Sequence, residues 1–244
     1  MKLLILGATS FIAQEVAKKV VRDGGDVYLV ARDSKKLEIL LHDLKLRGKG
    51  KVGGSVFDLD LEENHSKIIS MASEALGSID TALIAHGILG EQEKAEQNYA
   101  EAFSILNTNF LSSVSLSQKV VNYFAGQKRG TLAVIGSVAG DRGRQSNYYY
   151  GASKAGLDAF LSGLRNKMYP KGIHVLTIKP GYVDTPMTAG HKKNFLFAKP
   201  ETVAHGILNA INQRRNVVYL PKFWWGIMWI IRAIPECLFK RLRL

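Results

Sequence analysis

Short apolar runs without polar alternation recur along the chain, separated by stretches of helical period. Lys2-Leu-Leu-Ile-Leu6 is the first and Asp26-Val-Tyr-Leu-Val-Ala31 the second. A strand covered by helices on both faces has no solvent side, so its residues need not alternate. Between these two runs Glu15-Val-Ala-Lys-Lys-Val-Val21 reads as a helix, closing a β–α–β unit. Gly7-Ala-Thr-Ser-Phe-Ile-Ala13 joins the first strand to that helix. Strand, small-residue turn and helix in this order aim backbone N–H groups and a helix N-terminus at one spot, as a bound pyrophosphate requires. Further strands are predicted near 51–57, 81–85, 130–136, 173–179 and 216–220, with long helices over 98–124 and 146–169.

Alternating strands and helices predict the α/β class, a doubly wound Rossmann-type parallel sheet of about seven strands with helices on both faces. The 244 residues suit one such unit, residues 1–222, followed by a helical, amphipathic tail, residues 223–244. No linker, repeat or low-complexity stretch interrupts it. One cysteine, Cys237, excludes an internal disulfide and suits a reducing, cytoplasmic setting. The four-residue apolar run at the start is too short for the core of a signal peptide.

Charge changes the picture at one end. The chain carries a net +12, and residues 214–244 hold seven Lys/Arg against a single acid, Glu236. Interleaved with these cations is Phe223-Trp-Trp-Gly-Ile-Met-Trp-Ile-Ile231, which contains all three tryptophans. Nine apolar residues fall short of the roughly 20 that span a bilayer. Tryptophans and flanking cations suit a helix lying in a membrane interface, here the inner face. The other reading is that this segment caps a pocket or packs on a partner subunit. The basic balance alone also fits nucleic acid, but no helix-turn-helix or aromatic sheet motif supports such a partner.

Candidate chemistry centres on Tyr150-Gly-Ala-Ser-Lys154, with Ser137 thirteen residues before the tyrosine. Residues four apart on a helix share a face. An ammonium beside a phenol favours the phenolate and brings proton exchange with a carbonyl closer to neutral pH. A serine hydroxyl can hold the carbonyl oxygen. By itself the Tyr/Lys pair also fits a surface helix with a solvated lysine. Tyr148 and Tyr149 lack a lysine at that spacing.

Together these motifs resemble the short-chain dehydrogenase/reductase family over nearly the whole chain. Gly7 with Phe11 and Ala13 stands where the family has Gly-x-x-x-Gly-x-Gly, and Ile84-Ala-His-Gly87 stands where it has Asn-Asn-Ala-Gly. Asn109, Ser137, Tyr150 and Lys154 match its catalytic tetrad, and Pro180-Gly-Tyr-Val-Asp-Thr185 matches its loop over the nicotinamide. The resemblance implies a nicotinamide cofactor held by Gly7, Thr9, Ser10, Phe11, Ile12, Arg32, Asp58, Leu59, Ala85, His86, Gly87, Tyr150, Lys154, Pro180, Gly181, Val183 and Thr185. It implies that Tyr150 exchanges the proton, Lys154 tunes Tyr150 and holds the ribose, and Ser137 orients the carbonyl. Asn109 is expected to anchor a water leading from Lys154 to solvent. A homodimer or homotetramer is implied as well. Within the family, the segments 83–91, 141–151 and 155–160 and the tail 234–240 are similar to reductases of decaprenylphosphoryl-2-keto-ribose.

Arg32 follows the second strand, where an arginine receives the 2′-phosphate of NADP(H) and an acid the ribose of NAD(H). NADP(H) is therefore favoured, with Asp33 keeping NAD(H) as the alternative. Arg142 and Arg144, between Ser137 and Tyr150, are candidate phosphate contacts for a substrate, or structural arginines on loop carbonyls. His191-Lys-Lys-Asn194 falls in a candidate lid, and His86 is expected to pack rather than react. No cluster has metal-ligand spacing, so no metal is expected. Three classes stay open: a reductase of a lipid-linked keto-sugar, a reductase of another ketone or ketoacyl substrate, and a non-catalytic dinucleotide-binding protein.

Overall fold

The structure is a computed structural model that describes residues 1–190 and 192–242. Its strands are β1 (Lys2–Leu6), β2 (Asp26–Ala31), β3 (Val52–Val56), β4 (Thr81–Ile84), β5 (Gly130–Ile135), β6 (Ile173–Pro180) and β7 (Val217–Leu220). All pair in parallel, in the order β3-β2-β1-β4-β5-β6-β7. The chain starts at the centre, winds out to β3, then crosses back to β4 beside β1. That reversal opens a crevice at the carboxyl ends of β1 and β4, where doubly wound sheets bind their ligands.

The unbroken apolar strands are explained by two cores. Leu3 and Ile5 of β1 face one, and Leu4 and Leu6 face the other. Successive side chains point to opposite faces, so burial on both sides requires four apolar residues in a row. The first face is covered by α1 (Phe11–Arg22), α2 (Ser34–Arg47) and α8 (Pro200–Asn212), the second by α3 (His65–Leu76), α6 (Ser112–Gln127) and α7 (Tyr148–Met168). In α1 the buried residues are Ile12, Ala13, Val16, Ala17, Val20 and Val21, one stripe of helical period. Each aliphatic side chain buried this way contributes roughly 1.5–3 kcal/mol.

The helix predicted over 98–124 is present with an interruption. Short helix α4 (Gln92–Gln97) precedes α5 (Tyr99–Leu106), which Asn98 caps by accepting from the Ala100 N–H at 3.0 Å. A single wide π turn over Asn107–Leu111 then leads into α6. The tail forms α9 (Phe223–Ala233) and α10 (Glu236–Phe239), broken at Pro235, which cannot continue a helix from Ile234. Among the described residues, no helix is long and apolar enough to cross a membrane.

Candidate active site

Five βα junctions, those after β1 to β5, and the loop after β6 surround one cavity of about 980 Å³. Every residue predicted to hold the cofactor lines it, as do Asn109, Ser137 and Arg144. Arg142 does not. At one end lie Arg32, Lys18, Lys36 and Arg47; at the other lie Ser137, Tyr150 and Lys154.

Gly7 ends β1 with φ +92°, a conformation favouring glycine, and a Cβ there would lie 2.4 Å from the His86 backbone nitrogen. The turn is pinned by the Gly7 and Ala8 N–H groups, which both donate to the Val30 carbonyl at 3.0 and 2.9 Å. Residues 9–12 then present the N-terminus of α1 to the cavity, with its macrodipole favouring an anion. Phe11 starts that helix with its side chain half in solvent, which is how this turn tolerates bulk in place of glycine. The cradle and the dipole fit a dinucleotide pyrophosphate. At the end of β2, Arg32 is exposed at the cavity rim. Asp33 caps α2, its carboxylate accepting from the Lys36 N–H at 3.0 Å and pairing with the Lys36 ammonium at 3.3 Å. That use holds its pKa below the ordinary range, the backbone bond being the main cause, and turns its oxygens toward its own helix.

His86 is buried, and burial together with the nearby Lys154 ammonium pushes its pKa down to about 3. The Ser112 hydroxyl donates to the Leu59 carbonyl, so the 2.9 Å contact to His86 must be Nε2–H donating to Ser112 Oγ. His86 thus ties β4 to α6 and to the Asp58–Leu59 loop as a neutral ring. Asp58 stiffens the same loop by accepting from the Asp60 N–H at 3.0 Å.

The Asn109 side chain is fully buried, accepting from the Ile88 N–H at 2.9 Å and donating to the Ile88 carbonyl at 2.8 Å. The amide clamps the loop after β4. Gly87 leaves it room, since a Cβ there would come within 2.7 Å of Asn109 Oδ1 and 3.6 Å of Lys154 Nζ.

Tyr150 and Lys154 stand one turn apart on α7, with Nζ 5.7 Å from the phenol ring centre. Lys154 donates to the Ile135 carbonyl at 3.2 Å and is 3 % exposed. Burial lowers its pKa to about 8, opposed by the Asp158 carboxylate. Burial also raises the Tyr150 pKa, and the Ser137 hydroxyl pulls it the other way. The lowering expected from Lys154 is not what sets the direction in this protein: desolvation of a phenolate dominates, and Tyr150 is held protonated. Ser137 accepts from the Ala139 N–H at 3.1 Å, which fixes its rotamer toward the cavity wall.

The two candidate arginines part company. Arg142 donates to the carbonyls of Ile231 at 2.7 Å and Ile234 at 2.5 Å, pairs with Glu236 at 2.8 Å, and stacks 3.6 Å above the Phe239 ring. It fastens the tail and is corrected as a substrate contact. Arg144 faces the cavity; its Nη2 lies 3.5 Å from Met228 Sδ, and its Nε is buried without a hydrogen-bond partner among the described residues. Lys193 of the candidate lid pairs with Asp184 at 2.7 Å, while His191 lies outside the described residues.

The tail presents two faces. Trp224 and Met228 are buried with Val138, beside Tyr182 and Leu196. Trp224 lies so close to Gly181 that a Cβ there would overlap the indole. The inner face of α9 thus packs behind Val138, Gly181 and Tyr182, which line the cavity, and backs the substrate end from outside. Trp225, Trp229 and Ile230 stay 60–65 % exposed on the outer face. Arg243 and Leu244 lie outside the described residues. Sequence reasoning missed Lys179, Asp141 and Asp158, which form buried ion pairs behind the catalytic helix. Asp158 had a signal, lying four residues beyond Lys154 on the same helical face.

A nucleotide-sized cavity with a protonated tyrosine and a buried lysine at one end fits a nicotinamide-dependent oxidoreductase. The short chain dehydrogenase family model matches residues 2–195, and the chain belongs to that family: it is an NAD(P)-dependent oxidoreductase. It is 34 % identical to an uncharacterized oxidoreductase of Mycobacterium tuberculosis over 239 residues, covering 98 % of this chain and 96 % of the relative. An uncharacterized oxidoreductase of Streptomyces coelicolor is 33 % identical over 241 residues, covering 98 % and 95 %. The ketoacyl reductase HetN of Nostoc is 28 % identical over 220 residues, covering 88 % and 76 %. In fold, the chain is similar to a variant of actinorhodin polyketide ketoreductase solved with NADPH, with TM-score 0.78, 22 % identity, and 86 % and 90 % of the chains covered.

Proposed function

We propose that this protein uses NADPH to reduce a keto group on a lipid-phosphate-linked sugar, such as a polyprenylphosphoryl 2-keto-pentose. The observation that carries this reading is Arg144. A half-buried guanidinium with an unpartnered Nε stands in the cavity that holds Tyr150. Leaving such a charge unsatisfied is costly, so the site favours an anion on the substrate. Phosphate suits the planar fork of arginine.

The bound nicotinamide would supply the hydride to the carbonyl carbon. The protein's own residues do the rest. Ser137 donates to the carbonyl oxygen and sets its direction. Tyr150, kept protonated by burial, gives its proton to that oxygen, so that the ketone becomes a secondary alcohol. Lys154 carries the charge that steadies the resulting phenolate, and its ammonium would hold the nicotinamide ribose. Arg32 would receive the 2′-phosphate of the cofactor at the other end. The exposed Trp225, Trp229 and Ile230, with Lys222, Arg232, Lys240 and Arg241 exposed nearby in sequence, support peripheral attachment to an anionic membrane, where such a substrate resides.

NADPH consumption separates this from the other substrate class. A polyprenylphosphoryl 2-keto-pentose should be reduced with a kcat/KM at least about 10-fold above that of an acetoacetyl thioester, a difference of about 1.4 kcal/mol. Arg144→Met should raise KM for the phosphate-bearing substrate and leave a small neutral ketone unaffected. Faster reduction of the thioester, unaltered by Arg144→Met, overturns the lipid-phosphate reading and favours a ketoacyl reductase.

A further inference from the structure

Beneath the catalytic helix lies a set of buried charges that the reduction itself does not use. Lys179 of β6 sits between two carboxylates, 2.5 Å from Asp141 Oδ1 and 2.7 Å from Asp158 Oδ2. Their side chains are 12 %, 2 % and 16 % exposed respectively. Asp141 is also held by the Tyr219 hydroxyl, which donates to Oδ2 at 2.8 Å. Asp158 has no comparable hydrogen bond among the described residues; its Oδ1 faces the Gly136 backbone, 3.1 Å from where a Cβ would stand. Two carboxylates against one ammonium leave one negative charge over. Asp158 belongs to α7, one turn past Lys154, which in turn is one turn past Tyr150. Lys154 is a buried cation whose hydrogen bond goes to a neutral carbonyl. Such a cation persists only if an opposite charge lies near.

We propose that Asp158 is a positioning residue for the reaction: the surplus negative charge of the Asp141–Lys179–Asp158 cluster keeps Lys154 protonated inside the fold. Lys179 and Asp141 divide the labour. They neutralise each other and anchor the loop after β5, which leaves the Asp158 charge to act along α7 on Lys154. The other charged groups facing these residues are few. Arg165 of α7 feels the Asp158 field but donates to the Val175 carbonyl and to the Thr177 hydroxyl at 2.9 and 2.7 Å. His86 faces Lys154 but is neutral, and the Tyr150 phenol is protonated. Asp158 is thus the source of negative charge toward Lys154, in line with its being the group that opposes the burial-driven fall of the Lys154 pKa to about 8. Burial raises the pKa of Asp158 itself, and the Lys179 ammonium offsets part of that rise.

The test compares Asp158→Asn with Asp141→Asn. Each removes one carboxylate from Lys179, but only the first removes the charge that faces Lys154. NADPH affinity, read by the fluorescence of the bound nucleotide, should weaken as pH rises through the titration of Lys154, because the ammonium holds the ribose. In Asp158→Asn that alkaline limb should begin about one pH unit lower or more, the size of shift produced by losing a nearby opposite charge. In Asp141→Asn it should move by less than half as much. The alkaline limb of kcat/KM for a small ketone should shift in parallel. Circular dichroism and thermal unfolding establish that each variant is folded, and if Asp158→Asn does not fold, Asp158→Ser makes the same measurement. A limb unchanged in the neutral Asp158 variant, or moved equally in both, overturns the proposal. The proposal rests on the reductase reading for the kinetic arm alone: a shifted binding limb without ketone reduction would sink that reading and leave this one standing.

Discussion

Replacing Arg142 by alanine should release the tail from the catalytic face. Its guanidinium bridges the last carbonyls of α9 and the start of α10, through bonds to Ile231 and Ile234 of 2.7 and 2.5 Å, a pair with Glu236, and the stack on Phe239. Hydrogen bonds from a charged donor contribute about 1.5–3 kcal/mol each. Glu236 is 76 % exposed, so its pair adds no more than about 1 kcal/mol. The carbonyls regain water once the tail lifts, which offsets part of the loss. A net destabilisation of about 2–4 kcal/mol follows for the docked tail, or roughly 30- to 1,000-fold more undocking. Intrinsic fluorescence is a clean assay, because all three tryptophans lie in α9 and only Trp224 is buried. Undocking should shift emission to the red and speed proteolysis near Pro221, while the sheet, whose two cores do not include α9, stays folded. Arg142→Lys, with a point charge in place of the fork, should fall between wild type and alanine. Emission and proteolysis identical to wild type in Arg142→Ala would refute the clasp.

Tyr150→Phe should cut turnover by about 100-fold or more, the scale of a lost general acid, while NADPH titration gives nearly the wild-type affinity; wild-type turnover would remove Tyr150 from the chemistry. Arg32→Ala should weaken NADPH by about 1.5–3 kcal/mol and NADH little, since the lost contact is to the 2′-phosphate. Competitive titration of the two nucleotides checks this, and tighter NADH binding by the wild type would reverse the cofactor preference. Trp225→Ala combined with Trp229→Ala should abolish co-sedimentation with anionic vesicles, which in the wild type should fade as salt rises. Because both side chains are largely exposed, NADPH affinity should not change, and a wild-type protein that ignores vesicles would end the peripheral-membrane reading.

Local pattern determined much of this protein. The apolar runs at 2–6 and 26–31 are strands because burial on both faces forbids polar positions, and the seven-stranded parallel sheet follows from the βα rhythm. Tyr150 and Lys154 were legible as a pair because four residues of helix bring them to one face whatever surrounds them. The break of the tail at Pro235 has an equally local cause, since proline cannot continue a helix. What tertiary structure alone decided depends on groups distant in sequence. Arg142 and Arg144 are two residues apart and look alike, yet one grips carbonyls some 90 residues later and the other faces the cavity. Asn109 clamps Ile88, which is 21 residues away, and no spacing announces that choice. The direction of the Tyr150 titration was also decided in three dimensions. Spacing supplies the lysine that favours the phenolate, but only folding supplies the burial that opposes it, and desolvation of the phenolate is the larger effect.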